Sequence, residues 1–227
     1  MGYIALAGYK LFSYDKIPST QTYALNMVAS GTARNHTVIV AEAQSSGRGR
    51  YKRTWVSHHG NLYASFIYSS DDERDPRLSY VVAVAVAETL IYFGITPQIK
   101  WPNDILIDGN KVCGILIEYA GRFVIVGIGI NIKNCPTIEN YKTTCMNKYI
   151  NVDKADVLNK LMINLDKWRR AKFIDVRARW MELAAGLNSV VKYRGDIFEL
   201  IGINENGALI LRRGTQYMLA YGDEITM

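Results

Sequence analysis

The sequence predicts an α+β fold, a mixed and mainly antiparallel sheet flanked by helices, with a small β-barrel at its C-terminal end. Three observations lead there. Short β-rich runs recur through the first half, and two of them flank Asp108-Gly109-Asn110; an Asp-Gly between such runs is a strong hairpin signal. Helical apolar spacing fills 76–93 and 153–187. After Gly186 the apolar runs shorten and turn residues separate them every few positions, the spacing of a small barrel. The expected division is a main domain over 1–187 and a terminal domain over 188–227.

In chain order, 9–14 reads as a strand, and 15–18, ending in Pro18, turns the chain into Ser19-Thr20-Gln21-Thr22. The apolar stretch 23–29 is a helix that Ser19 would cap. Residues 38–41 form a short buried strand that runs into a basic loop, and 62–68 resumes the strand pattern beyond it. Pro76 opens a helix through about 93, with Gly94 as its stop. Runs 105–107 and 112–117 make the hairpin around Asp108-Gly109, and 122–132 carries Gly127-Ile128-Gly129-Ile130-Asn131. Val157, Leu158, Leu161, Ile163, Leu165 and Trp168, then Phe173, Val176, Trp180 and Leu183, predict two helices. Short strands follow at 190–191, 197–203, 208–211, 217–220 and 225, with the last turn at Gly222-Asp223.

Composition bounds the function. At 227 residues and 49% apolar content the chain can bury a core, and a formal net charge of +6 favours an anionic partner without choosing among nucleotides, nucleic acids and acidic proteins. Cys113, Cys135 and Cys145 are an odd set with no C-x-x-C and no nearby histidines. Neither a disulfide framework nor a zinc site is expected, and a reducing cytoplasm fits. The N-terminus lacks a basic stretch ahead of a long apolar run, which argues against a secretory signal. The apolar run 80–95 contains Glu88 and is short for a bilayer span, so it reads as a buried helix and no membrane partner is expected.

Two segments carry chemistry. The first, Q-S-S-G-R-G-R-Y-K-R-T-W from Gln44 to Trp55, gathers Arg48, Arg50, Lys52 and Arg53 with no acid among them. Gly47 and Gly49 let backbone amides approach an anion, and arginine donates bidentately to phosphate or carboxylate oxygens. A solvated surface loop is the plain alternative, and the phosphate-loop pattern G-x-x-x-x-G-K-[ST] is absent. The second, beginning Lys100-Trp101-Pro102-Asn103-Asp104, places a cation, an amide and a carboxylate at a strand-to-turn junction. A purely structural turn has no need of that set.

Together with K-V-C-G-I-L-I-E from Lys111 and the G-I-G-I-N ending at Asn131, these segments, in this order and at these separations, resemble biotin protein ligases. The resemblance runs from about Phe12 to the C-terminus. It implies a class II synthetase-like catalytic domain with a small C-terminal barrel, and a two-step reaction. Biotin's carboxylate attacks the α-phosphorus of ATP to give biotinyl-5′-AMP and pyrophosphate; a lysine of a biotin carboxyl carrier domain then attacks the adenylate's carbonyl and releases AMP. ATP, biotin and Mg²⁺ are the implied ligands and cofactor.

The first step brings a carboxylate to a triphosphate. Two unit charges about 4 Å apart at an effective dielectric near 20 repel by about 4 kcal/mol, and cations must offset that. Arg48 and Arg50 from the loop and Lys100 from the opposite segment are the expected groups. Asp104 and Asn103 are expected to orient the metal or phosphates, with a locally bonded Asn-Asp turn as the alternative. Lys111 matches the family lysine and would contact the activated carboxyl or phosphate, or else sit in water. Gly114, Gly127 and Gly129 would keep the sheet floor open. Ser19, Thr20 and Gln21 match the family stretch that bonds biotin's ureido head, although Ser19 could be a cap alone. Gln44 resembles the glutamine beside biotin, Trp55 would cover the adenylate, and Asn131 would contact the adenine; a loop anchor and a strand-end turn are the alternatives for the last two.

Two positions depart from the family pattern. Lys52 stands where a second small residue is common, and Gln21 replaces the commoner asparagine. Two other readings stay open: a lipoate or octanoate transferase of related fold, and a basic nucleic-acid-binding module. No sequence-specific DNA binding is expected, since the helix near Thr20 leaves no space for a preceding helix-turn-helix. The family includes both monomers and homodimers.

Overall fold

The computed structural model describes residues 4–6, 8–70, 75–139, 141–222 and 225–226. Its elements are β1 (Ile4–Leu6), β2 (Tyr9–Ile17), α1 (Thr20–Ala29), β3 (Thr37–Gln44), β4 (Leu62–Ser69), α2 (Leu78–Tyr92), β5 (Gln98–Lys100), β6 (Asp104–Ile107), β7 (Asn110–Ala120), β8 (Phe123–Ile130), α3 (Lys154–Arg170), α4 (Phe173–Leu183), β9 (Val190–Tyr193), β10 (Asp196–Ile203), β11 (Leu209–Arg213), β12 (Gln216–Ala220) and β13 (Ile225–Thr226). Contacts divide the chain into two units, one of residues 1–74 and 110–163, the other of 75–109 and 164–227.

The first unit is built on strands in the order β1-β2-β3-β4-β8-β7. Only β2 and β3 run parallel, joined through α1, while β3-β4, β4-β8 and β8-β7 are antiparallel. β4 is buried along nearly its whole length, which explains the continuous apolar texture of L-Y-A-S-F-I-Y. α1 starts where Ser19 accepts the Thr22 N–H at 3.3 Å, as its sequence predicts. Ala24 and Ala33 pack with Ile39, Ile67, Phe123 and Ile125 into a core beneath the helix. Truncating a fully buried residue such as Ile39 costs about 2–5 kcal/mol in such a setting.

In the second unit α2 is apolar on every side and buried from Tyr80 through Ala87 except for Val81. Tyr80 centres its packing: its hydroxyl donates to the Gly207 carbonyl at 2.9 Å, accepts the Trp101 indole N–H at 3.0 Å, and its ring meets Trp180 edge-on at 5.4 Å. Burial drives its phenol well above the ordinary tyrosine range, a push that the Trp101 hydrogen bond partly opposes. The terminal strands make a separate five-stranded antiparallel sheet, ordered β12-β11-β10-β9-β13. Among the described residues, no helix is long and apolar enough to cross a membrane.

The structure differs from the sequence reading in local detail. The first strand does not end at 14, because β2 continues in register against β3 from Lys10↔Thr37 to Ile17↔Gln44, and the partner strand overrides the turn expected over 15–18. β1 has no counterpart in the predicted elements. The α2 helix begins at Leu78, two residues after Pro76. Ile163 is 48% exposed: Leu161 and Leu165 define the buried face of α3, and 100° per residue puts Ile163 on the other side. The turn expected at Gly222-Asp223 falls partly outside the described residues.

Candidate active site

The N-terminus of α1 buries three consecutive polar residues, Ser19, Thr20 and Gln21, at 2–4% exposure. Buried polar groups require partners, and other strands supply them. The Thr20 amide donates to Gln44 Oε1 at 2.8 Å and its hydroxyl donates to the same atom at 3.2 Å. Ser65 Oγ, on β4, lies 2.9 Å from both Thr20 Oγ1 and Gln21 Oε1, so its single proton serves one at a time. Gln21 Nε2 donates to the Ile125 carbonyl at 3.4 Å. The Gln21 side chain lies over Gly127, where an added Cβ would stand 2.5 Å from Gln21 Oε1. Gln44 carries the network onward, donating to Ser57 Oγ, which donates to the Trp55 carbonyl, each at 2.8 Å. A row of amides and hydroxyls at a helix N-terminus is suited to a neutral, planar group that both donates and accepts.

The basic loop joins β3 to β4. Ser45 and Ser46 tie its start to the carbonyls of Ile17 and Pro18, and Trp55 N–H donates back to Gly47 at 2.9 Å. Gly47 leaves no room for a side chain, since a Cβ would stand 2.2 Å from the Trp55 carbonyl oxygen. Arg48 and Thr54 form an isolated antiparallel bridge, and Gly49 N–H donates to Arg53. Between them Tyr51 and Lys52 take φ of 53° and 60°. Glycine adopts that left-handed region freely, which gives a physical reason for the small residue common where Lys52 stands. Arg50 and Arg53 place their guanidinium groups 4.9 and 5.7 Å from the Tyr51 ring centre.

Arg48 reaches across to β7, where its guanidinium donates to Glu118 Oε1 at 2.8 Å. The other oxygen, Oε2, is buried and makes no hydrogen bond. The loop cation is thus held by an anion that is itself half-satisfied. Further along, the Trp55 indole lies directly on the glycine floor: added Cβ atoms would stand 2.8 Å from it at Gly114 and 2.6 Å at Gly129. Lys111 Nζ lies 5.4 Å from the Trp55 ring centre and 5.1 Å from that of Tyr141. Aromatic faces hold this ammonium, which is not the arrangement of a solvated hairpin lysine.

Asn131 follows β8 at 1% exposure, donating from Nδ2 to the Thr144 carbonyl at 3.1 Å and accepting from Asn61 at 3.4 Å. Asn61 Oδ1 receives three backbone N–H groups, from Ile132, Lys133 and Asn134 at 2.9–3.0 Å. This strand end is therefore fixed from both sides.

The second unit holds Lys100, Asn103 and Asp104 on the β5-β6 hairpin, with Lys100 and Asp104 directly opposite in register. Among the described residues no group of three or more His, Cys, Asp or Glu could hold a metal ion. A magnesium ion bound through ATP phosphates and one carboxylate does not require such a group.

The structure thus brings together Ser19, Thr20, Gln21, Gln44, Gly47, Arg48, Trp55, Lys111, Gly114, Gly127 and Gly129 within the first unit. Sequence reasoning missed Ser65, Ser57, Asn61 and Tyr141, and it quoted Glu118 only as the end of K-V-C-G-I-L-I-E, with no role. A lone serine inside L-Y-A-S-F-I-Y is the one visible signal among them, since a polar residue in a fully buried strand needs a reason. Glu118 became meaningful only once strand register set it beside a loop 70 positions away.

The model of the biotin/lipoate A/B protein ligase family matches residues 14–133. The bifunctional ligase/repressor BirA of Bacillus subtilis is 31% identical over 243 aligned residues, 97% of this chain and 74% of the relative. The biotin–(acetyl-CoA-carboxylase) ligase of Paracoccus denitrificans is 33% identical over 201 residues, 77% of this chain and 83% of the relative. Among solved structures, the biotin protein ligase of Aquifex aeolicus in complex with biotin and ATP superposes with a TM-score of 0.84 at 27% identity, covering 95% of this chain and 97% of that one. With its fold, its glycine floor and its basic loop in place, the chain belongs to the biotin/lipoate A/B protein ligase family.

Proposed function

We propose that this protein activates biotin with ATP as biotinyl-5′-AMP and transfers biotin to a lysine of a biotin carboxyl carrier protein. The observation that supports this reading most strongly is the Trp55 indole lying on Gly114 and Gly129, beside Lys111 and on the same loop as Arg48. The indole fills this floor at contact distance, so a ligand would have to lift it; the flat, cation-edged surface beneath would then suit a planar base and an anionic acyl phosphate.

The polar network of Ser19, Thr20, Gln21, Gln44 and Ser65 would receive biotin's ureido head, exchanging internal hydrogen bonds for ligand ones. Arg48 would leave Glu118 for the reacting carboxylate and α-phosphate, and Arg50 and Lys111 would add positive charge as it shifts to pyrophosphate. Lys100 is proposed to serve the same reaction because it matches the family motif. Asn131 holds the strand end and would offer its remaining amide proton to the adenine. Magnesium, when bound with ATP, would offset phosphate charge, with Asp104 its candidate carboxylate. No sequence-specific DNA or membrane partner is proposed, and the chain would act as a monomer or a homodimer, both of which occur in the family. We assign the reaction to the cytoplasm, where ATP is found and free thiols such as Cys113 persist.

The test is transfer of radiolabelled biotin, against lipoate, to an acidic carrier domain in the presence of ATP. Labelling by biotin with release of AMP and pyrophosphate is expected. Labelling by lipoate in preference to biotin would assign the chain to the other branch of its family.

A further inference from the structure

Cys135 and Cys145 take no part in the chemistry assigned above. Their sulfurs are 3.3 Å apart, with the Cys145 thiol directed at Cys135 and 3.6 Å from the Lys133 carbonyl. Cys145 is 3% exposed, while Cys135 is half-buried. Both are free thiols. Their sulfurs must approach by only about 1 Å to reach bonding distance.

The chain between and around these thiols grips two residues of the site. Lys111 N–H donates to the Lys142 carbonyl at 3.0 Å, and Thr144 N–H donates to the Lys111 carbonyl at 3.0 Å. Tyr141 supplies one of the two rings around the Lys111 ammonium. The Thr144 carbonyl accepts from the Asn131 side chain, and Met146 N–H donates to the Asn131 carbonyl at 3.0 Å. Any backbone shift that accompanies joining the sulfurs would bear on these hydrogen bonds.

We propose that Cys135 and Cys145 are a redox-active dithiol, a modification site whose oxidation to a disulfide alters the setting of Lys111 and Asn131 and so the rate of adenylate formation. The oxidant is a low-molecular-weight disulfide of the glutathione class. The Cys135 thiolate attacks one of its sulfurs, giving a mixed disulfide and expelling one thiolate. Cys145 then loses its proton and attacks the Cys135 sulfur, expelling the second. The protein gives up two electrons and two protons, and the oxidant leaves as two thiols. This order fits the site: burial and the Cys135 hydrogen bond push the Cys145 thiol up to about 11, leaving the half-exposed partner to react first. The cross-link stands on geometry alone; its effect on rate rests on the ligase reading.

The test uses the full-length protein incubated with oxidised glutathione, then alkylated and mapped by peptide mass without reduction. The expected result is a Cys135–Cys145 cross-link that dithiothreitol reverses, with Cys113 still a thiol, and a several-fold reversible change in the rate of biotinyl-5′-AMP formation. Cys135→Ser should form no cross-link and keep its rate in oxidant. Because that residue is half-buried, the variant keeps the proposal testable if Cys145→Ser fails to fold. Thiols that stay reduced, reaction that stops at a glutathione adduct on Cys135, or a cross-link that leaves the rate unchanged would each overturn the proposal. A reduced protein without ligase activity would sink the ligase reading instead, and the peptide map would still decide the cross-link.

Discussion

Gly129→Ala tests the contact on which the proposed site turns. An added Cβ would stand 2.6 Å from Trp55 Cε2 and Nε1 and 2.9 Å from Cζ2. Carbon contacts are optimal at about 3.5–4.0 Å, so one partner must withdraw by about 1 Å. β8 cannot readily do so, because Gly129 is paired with Tyr63 on one side and Gly114 on the other. The indole, carried by a loop, can. Overpacking costs about 1–3 kcal/mol where nothing yields; here part of that cost should appear as a displaced Trp55. We expect Gly129→Ala to lose about 1 kcal/mol of stability and to slow adenylate formation by about tenfold or more, the equivalent of about 1.4 kcal/mol. Trp55→Ala removes the obstacle, so adding Gly129→Ala to it should be nearly silent in stability. Urea unfolding of the four proteins gives the coupling directly. Additivity within about 0.3–0.5 kcal/mol would refute the claim that the ring rests on Gly129.

Other expectations can be checked with the same protein. Glu118→Gln should change stability by less than about 1 kcal/mol, because the half-exposed pair with Arg48 is worth little; it should free the loop for faster tryptic cleavage at 48–53 and lower the KM for ATP by removing a competing anion, whereas a raised KM would count against the exchange. Lys52→Gly should keep full activity, since its φ of 60° suits glycine, while Lys52→Val should disorder the loop, measured again by tryptic cleavage; equal behaviour of the two would contradict the left-handed conformation. Burial is the main cause that raises Cys145 from an ordinary 9.0 to about 11 and Tyr63 from 10.0 to about 12. Both are neutral in the folded state, so their contribution is whole below about pH 9 and is lost as pH rises through about 11–12. Thermal melting should show that alkaline decline, and Cys145→Ser should weaken its lower part.

Much of the fold was legible because single segments decided it. α2 is apolar on all sides and too short for a bilayer, and Asp108-Gly109 has positive φ at both residues, 49° and 72°, the pattern expected of an Asp-Gly hairpin turn. What was not legible depended on partners. The extension of β2 to Ile17 exists because β3 runs beside it, and the exposure of Ile163 follows from which face of α3 its neighbours chose. The site divides the same way. Glycines and arginines at fixed spacing pointed to an anion, but the pairing of Arg48 with Glu118 and the bridging of Thr20 and Gln21 by Ser65 arise only when distant strands are set in register. Lys52 is the reverse case, a departure visible in sequence whose meaning came from a backbone angle.

In the proposed reaction, cations from the chain make the encounter of biotin's carboxylate with ATP feasible. Single-turnover formation of biotinyl-5′-AMP from α-labelled ATP, in the wild type and in Arg48→Ala combined with Lys100→Ala, tests it most directly. A fall of at least about a hundredfold is expected, since each tenfold is about 1.4 kcal/mol and two cations are removed from a repulsion of several kcal/mol. Adenylate formed by the double variant at the wild-type rate would contradict it.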